Sequence, residues 1–263
     1  MSRGSRIAGT LSGLLEIRMV RTAPLVALGT VMMVALVSAV RAEPRAVIEL
    51  FTSQGCSSCP AADKLAGKLA TDPSLVVMSL SIDYWDYLGW KDTLALPRHS
   101  LRQRAYARSR GDRQVYTPQV VINGAVHALG SDQGAIEQAI AQSRRNPATL
   151  SLPVTMSVSG DQLAVSVPAG KNDRIGGEVW LCAVAKAVPV AVGRGENNGR
   201  TITYHNVTRR WLKLGDWTGE AKTWTAQLGE LKADGVDAAA VIVQGGSADN
   251  PGPMFGAAIT DIR

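Results

Sequence analysis

The chain has 263 residues, a length that accommodates about two domains of roughly 100–200 residues each. With 46% apolar and 19% charged residues it has an ordinary globular composition, which excludes a disordered polymer and a multi-span membrane protein. The formal charge of +6 does not point to nucleic acid: Arg3, Arg6, Arg18, Arg21 and Arg41 stand against the lone Glu16 in the first 42 residues, so that segment carries four of the six units and the remainder +2.

That first segment has the plan of a secretory leader. Arg18 and Arg21 precede an apolar run from Ala23 to Val40, and the small-residue boundary Val40-Arg41-Ala42 predicts cleavage after Ala42. Met19 offers an alternative start to Met1 that gives a leader of conventional length. An uncleaved anchor is the competing reading, because about 18 apolar residues just span a bilayer. Either reading places the rest in a periplasmic or secreted setting where disulfides persist.

Ala46 to Phe51 reads as a buried strand ending in the turn residues Thr52-Ser53-Gln54-Gly55, directly before Cys56-Ser57-Ser58-Cys59. Pro60 suits a first helical turn, and Leu65 and Leu69 continue a helix to Ala70. Leu75 to Ile82 is a second buried strand, completing β-α-β. After the aromatic stretch Asp83 to Trp90, a helix is expected from Pro97 to Arg110. Its arginines, 98/102 and 104/108 among them, read as a solvated face rather than a patch for an acidic partner. Thr117-Pro118 leads into the strand Val120 to Ile122. Asn123-Gly124 marks a hairpin back through Ala125 to Leu129, and Asp132 offers a cap for a helix from Gln133 to Arg144.

Beyond Pro147 the texture changes to short alternating runs at 150–158, 162–167, 178–187, 201–207, 223–228, 238–243 and 257–262. Turn signals between about seven strands predict an all-β, sandwich-like domain. The expected organisation is therefore a leader over residues 1–42, an α/β domain over 43–147 and a smaller β-rich domain over 148–263. Gly193 to Arg200 reads as a long turn leaning on the first domain. Cys182 reads as a small hydrophobe in a strand core.

Two cysteines two residues apart at a helix start suit thiol–disulfide exchange: the helix N-terminus stabilises the thiolate of the first, Cys56, and Cys59 resolves the mixed disulfide. The same spacing serves as half a zinc site, but no second pair exists, and His99, His127 and His205 lie far apart in the chain. No cofactor is expected. Thr117-Pro118 sharpens the reading, because a proline opening a buried strand cannot donate to the ladder and calls for a special reason.

With CxxC at a helix start and Thr117-Pro118 before a strand, residues 46 to about 145 resemble the thioredoxin superfamily. The segment Thr-Pro-Gln-Val-Val-Ile-Asn-Gly at 117–124 is similar to its glutaredoxin members. The resemblance implies a thioredoxin-like α/β fold, Cys56 and Cys59 as the redox pair, Pro118 as a cis-proline and Thr117 as the backbone contact for a bound partner. Two departures stand out. The dipeptide between the cysteines is Ser-Ser, and Glu49 is the nearby strand carboxylate, one residue further from the pair than thioredoxin's aspartate; it is a candidate proton relay to Cys59. The stretches 49–60, 83–90 and 194–200 also resemble an uncharacterised family of secreted, thioredoxin-like proteobacterial proteins, across both expected domains.

Asp83, Trp85 and Asp86 follow the second strand and are candidates for the rim of the cysteine site. The leading expectation is an exported thiol–disulfide oxidoreductase acting on protein or small-molecule thiols and disulfides. The alternatives are a periplasmic binding protein with a structural Cys56–Cys59 bridge, and a metallochaperone. Direction of electron flow, substrate and oligomeric state are not legible.

Overall fold

The computed structural model describes residues 43–171 and 176–263; the leader, its cleavage after Ala42 and the choice of start fall outside the described residues. Among the described residues no helix is long and apolar enough to cross a membrane.

The apolar run Ala46–Thr52 forms β1, buried along its whole length, and Leu75–Ser81 forms β2 in parallel beside it. Between them α1 (Cys59–Leu69) starts at the cysteine pair and carries Pro60 in its first turn, where a missing N–H costs nothing. The second helix, α2 (Pro97–Arg110), ends at Gly111, whose φ of 78° lies in the left-handed region that glycine enters without strain. Next come β3 (Gln119–Ile122) and β4 (Val126–Leu129), an antiparallel hairpin turned at Asn123 and Gly124, with φ of 52° and 70°. The Asn123 side chain also accepts from Val47 N at 2.7 Å, which ties the turn to β1. The third helix, α3 (Gln133–Ser143), is capped by Asp132, whose carboxylate accepts from Ala135 N at 2.9 Å.

Seven more strands follow: β5 (Thr155–Ser159), β6 (Gln162–Val167), β7 (Gly177–Ala191), β8 (Thr201–Trp217), β9 (Lys222–Gln227), β10 (Ala238–Ser247) and β11 (Asn250–Asp261). They do not build a separate sandwich. A single mixed sheet runs in the order β11-β10-β7-β8-β2-β1-β3-β4, with β8 parallel to β2, and only β5-β6-β9 form a second, three-stranded sheet. The seam is narrow: Ser79 pairs with Val207, and Ser79 Oγ donates to His205 O at 2.7 Å.

This corrects the fold expected from sequence. The architecture is one eight-stranded mixed sheet with a few helices, not a thioredoxin-like α/β domain followed by a smaller all-β domain. The side-chain alternation of a strand tells which residues share a face, but it carries no information on which edge meets which. Nothing local marks the β2–β8 pairing, whose partners are 128 residues apart. The core follows the sheet rather than the chain order. On one face Ile48, Leu50, Val77, Val120 and Ile122 pack against Ala62, Ala66 and Leu69 of α1 and Ile136 and Ile140 of α3. On the other, Val47, Phe51, Met78 and Tyr106 share one apolar cluster with Val184, Trp211, Ala240, Ile242 and Met254, so that cluster straddles residue 147. The small sheet lays Leu163, Val165 and Trp224 on the opposite side of β7 and β10, against Leu181, Val241 and Trp217.

Candidate functional site

Cys56 and Cys59 form a disulfide, their Cα atoms 5.4 Å apart, in the turn from which α1 begins. The turn is closed by Cys56 N donating to Ser53 O and Cys59 N donating to Cys56 O, both at 3.2 Å. Ser57 and Ser58 are exposed, whereas Cys56 is 3% and Cys59 0% exposed. The first cysteine is therefore the one with any access to solvent. Its Sγ lies 3.4 Å from Ser58 Oγ.

The Thr117–Pro118 peptide bond is cis, and β3 begins just beyond it. Pro118 lies alongside α1: a Cβ built on Gly130 would stand 3.2 Å from Pro118 Cβ and 3.3 Å from Ala62 Cβ. Trp85 joins this segment to the cysteine turn. Its Nε1 donates to Thr117 Oγ1 at 2.7 Å, and its Cβ would come within 3.1 Å of a Cβ on Gly55, the residue before Cys56. Tyr87, 76% exposed, stacks on Trp85 with centroids 6.1 Å apart. Of the three rim candidates Trp85 reaches the site. Asp83 is occupied by Ser100 Oγ, and Asp86 accepts from Asp92 N at 3.0 Å, so both brace the loop instead.

Glu49 is not brought to the cysteines. It alternates with Val47 and Phe51 and so points to the α2 side of the sheet, away from α1. There it is fully buried, paired with Arg102 (Nε to Oε1, 2.6 Å), and accepts a further hydrogen bond from the Tyr106 hydroxyl. Arg102 also donates to Gln244 Oε1 at 2.8 Å, so the network links β1, α2 and β10. Arg102 is thus not part of a solvated face, and the sequence offered no sign of it because its partner lies 53 residues away. Its neighbour His99 is buried as well: Trp211 Nε1 donates to its Nε2 at 3.1 Å, which leaves Nδ1 to donate to Ser81 O. Burial pushes the His99 imidazole down to about 3, so it remains neutral.

The carboxyl behind the disulfide is Asp63. It is four residues after Cys59, hence on the same helix face, and both side chains are at most 1% exposed. Helical side chains lean toward the N-terminus, so Asp63 lies one turn from Cys59 on the buried face at that end of α1. Its Oδ1 accepts from Thr52 Oγ1 at 2.8 Å, and its Oδ2 has no hydrogen-bond partner among the described residues. Burial pushes the Asp63 carboxyl up to about 8; the Thr52 hydroxyl opposes the rise and nearby Asp92 adds to it. Asp92, 4% exposed, is raised by burial to about 6 while accepting from Gln54 N and Leu94 N, each at 2.8 Å. The buried Tyr204 hydroxyl, also without a hydrogen-bond partner among the described residues, senses both carboxyls and has its pKa raised, chiefly by burial. The signal in the sequence was an aspartate on the apolar stripe Ala62, Ala66, Leu69, a position that is costly unless it has work to do.

The β7–β8 hairpin carries its tip, residues 192–200, onto the cysteine turn, as the long turn was expected to lean. Asn197 is fully buried: its Nδ2 donates to Gln54 O (3.0 Å) and Cys56 O (2.8 Å), and its Oδ1 accepts from Arg200 at 3.0 Å. Glu196 accepts from Ser57 N at 3.1 Å. Trp90 seats the tip against Gly193 and donates to Gln54 Oε1 at 2.7 Å. Cys182, by contrast, is fully buried on β7 and free, and burial raises its thiol pKa strongly, which suits a packed thiol.

The same architecture occurs in the crystal structure of protein AGR_C_4864 from Agrobacterium tumefaciens, which is 30% identical, with a TM-score of 0.74 over 83% of this chain and 94% of that one. No curated protein matches the chain. A match to the family described as protein of unknown function (DUF1223) spans residues 47–244, from β1 into β10, and takes in the cysteine turn, Asp63, the cis-proline and the hairpin tip. The chain belongs to the DUF1223 family.

Proposed function

We propose that the chain is an exported thiol–disulfide oxidoreductase in which Cys56 exchanges with a partner sulfur and Cys59 resolves. The observation that carries this reading is a disulfide at the first turn of a helix with a buried carboxyl of raised pKa one turn behind it. Its likeness in motif to the redox pair and cis-proline of the thioredoxin superfamily supports it. Export draws on the leader plan of residues 1–42.

In the oxidising direction a thiolate of a partner dithiol attacks Cys56 Sγ. The Cys56–Cys59 bond breaks, and the electron pair leaves on Cys59 Sγ. Asp63, protonated at neutral pH, gives that sulfur its proton; a carboxyl titrating near 8 is well matched to a thiol of ordinary pKa about 8.5. The partner's second thiolate then attacks its own sulfur in the mixed disulfide and releases the Cys56 thiolate, so the partner loses two electrons to the pair and its two thiol protons to solvent, from which Asp63 is reprotonated. In reverse, Asp63 takes the Cys59 proton as that thiol attacks. In this reading Thr117, held by Trp85 Nε1, docks the partner's backbone.

Turnover of insulin or glutathione disulfide tests this. Activity in the wild type that disappears in Cys56→Ala is expected; a bridge that dithiols cannot open overturns it. The competing reading, a structural bridge in a binding protein, draws on the 3% exposure of Cys56 and predicts that second result.

A further inference from the structure

The cysteine turn is held from outside its own segment, and the residues that hold it bear on its redox poise. A thiolate at Cys56 depends on the free N–H groups and positive end of α1. The N–H of Ser57, immediately after Cys56 and one residue ahead of the Ser58 N-cap, points at the same spot and is already taken by the carboxylate of Glu196, 139 residues further along the chain. That contact is not incidental to a loose loop. The tip is cross-linked to itself by Val192 N to Arg200 O and Gly199 N to Val192 O, at 2.9 and 2.8 Å. It is anchored by buried Asn197, whose amide spans the carbonyls on either side of Gly55. Arg200 in the tip donates to Asn197 Oδ1 at 3.0 Å.

We propose that Glu196, aimed by Asn197, is a positioning residue that makes the Cys56–Cys59 pair a weak oxidant. The carboxylate takes the Ser57 N–H beside the Cys56 thiolate, just ahead of the α1 N-terminus, and repels that thiolate. Destabilising the thiolate disfavours the reduced pair, lowers its reduction potential and raises the Cys56 thiol pKa. Other charged groups near the turn include Asp63 on α1, Asp92 in the loop beneath Gln54 with Asp86 beside it, and Arg200 in the tip. Burial holds Asp63 largely protonated at pH 7; Asp92, brought to about 6, is mostly ionised there but is engaged by Gln54 N and Leu94 N, so Glu196 is the anion placed at the Ser57 amide. The assignment rests on the oxidoreductase reading above and supplies the direction that reading lacks: the pair would work as an electron donor, recharged by a dithiol.

The test equilibrates the purified chain with reduced and oxidised glutathione at pH 7 and low salt, and follows the thiolate absorbance of the reduced pair against pH. Glu196→Gln keeps the acceptor oxygen and removes the charge; Glu196→Lys reverses it. The expected result is a graded shift toward the reduced protein, about three- to tenfold for Gln and larger for Lys, tenfold being about 30 mV. The Cys56 midpoint falls in parallel, and the differences shrink at 1 M salt, where the Debye length is about 3 Å. Asn197→Ala shifts the equilibrium the same way by releasing the tip. A pair that exchanges normally but keeps its potential in Gln and Lys overturns the role of Glu196 alone. A pair that glutathione and stronger dithiols cannot open overturns the oxidoreductase reading and this inference with it.

Discussion

Two buried carboxylates lie on opposite faces of the sheet, and their surroundings separate their roles. Glu49 has Arg102, Tyr106 and, through Arg102, Gln244 around it, a satisfied network suited to holding elements together. Removing one partner of such a pair leaves an uncompensated charge in the core. Arg102→Met is expected to cost about 3–5 kcal/mol in chemical denaturation, and adding Glu49→Gln to recover part of it. Asp63 has one hydroxyl on one oxygen and nothing on the other. Folded, its carboxyl holds a proton to about pH 8; unfolded, it releases it near 4. Between those values the folded chain binds the extra proton, so this group's contribution is fully present below about 4 and is lost as pH rises through 8. Thermal melts of Asp63→Asn are expected to gain on the wild type from pH 5 to about 8 and then level off, and its disulfide-exchange rate to lose the limb near pH 8. A flat difference across that range contradicts the burial of a titrating carboxyl. The sequence displayed both acids, yet drew attention to Glu49 because strand position was visible and the face it points to was not.

At the level of elements, the site is assembled where α1, β3 and the β7–β8 hairpin meet. Gly130 is the spacer between two of them: a Cβ there would stand 2.8 Å from Leu50 Cδ1 as well as close to Pro118 and Ala62. Gly130→Ala is expected to overpack this junction by about 1–3 kcal/mol and to slow exchange at Cys56 by moving Pro118 relative to α1, read as a lower midpoint in urea and a lower turnover rate. The elements themselves were largely legible. The CxxC-Pro start of α1, the Asn123-Gly124 hairpin and the Asp132 cap each follow from local backbone chemistry, and each is observed. The hairpin strands were underestimated. Expected over 178–187 and 201–207, they extend over Gly177–Ala191 and Thr201–Trp217; in β8 Arg210 and Lys213 break the apolar pattern while their backbone stays in the ladder, and Arg209 falls at a bulge.

For the whole molecule, the cluster that packs Phe51, Met78 and Tyr106 also needs Val184, Trp211, Ile242 and Met254, and β2 needs β8 along its free edge. A chain ending at residue 147 is therefore expected to expose an apolar sheet face and an unpaired strand edge. Circular dichroism and amide exchange should show it aggregated or without a cooperative transition, whereas a thioredoxin-like domain standing alone would fold. The sequence by itself determined the local chemistry: strand and helix periodicities, the turn and cap residues, the cysteine pair at a helix start and the proline opening β3. These depend on neighbours a few positions apart. Only the tertiary structure decided that β8 lies beside β2, that Glu49 faces away from the cysteines while Asp63 lies behind them, and that Glu196 and Asn197 reach the cysteine turn. Such contacts join residues up to 143 positions apart, and long-range pairing is set by how apolar faces bury together, which no local pattern encodes.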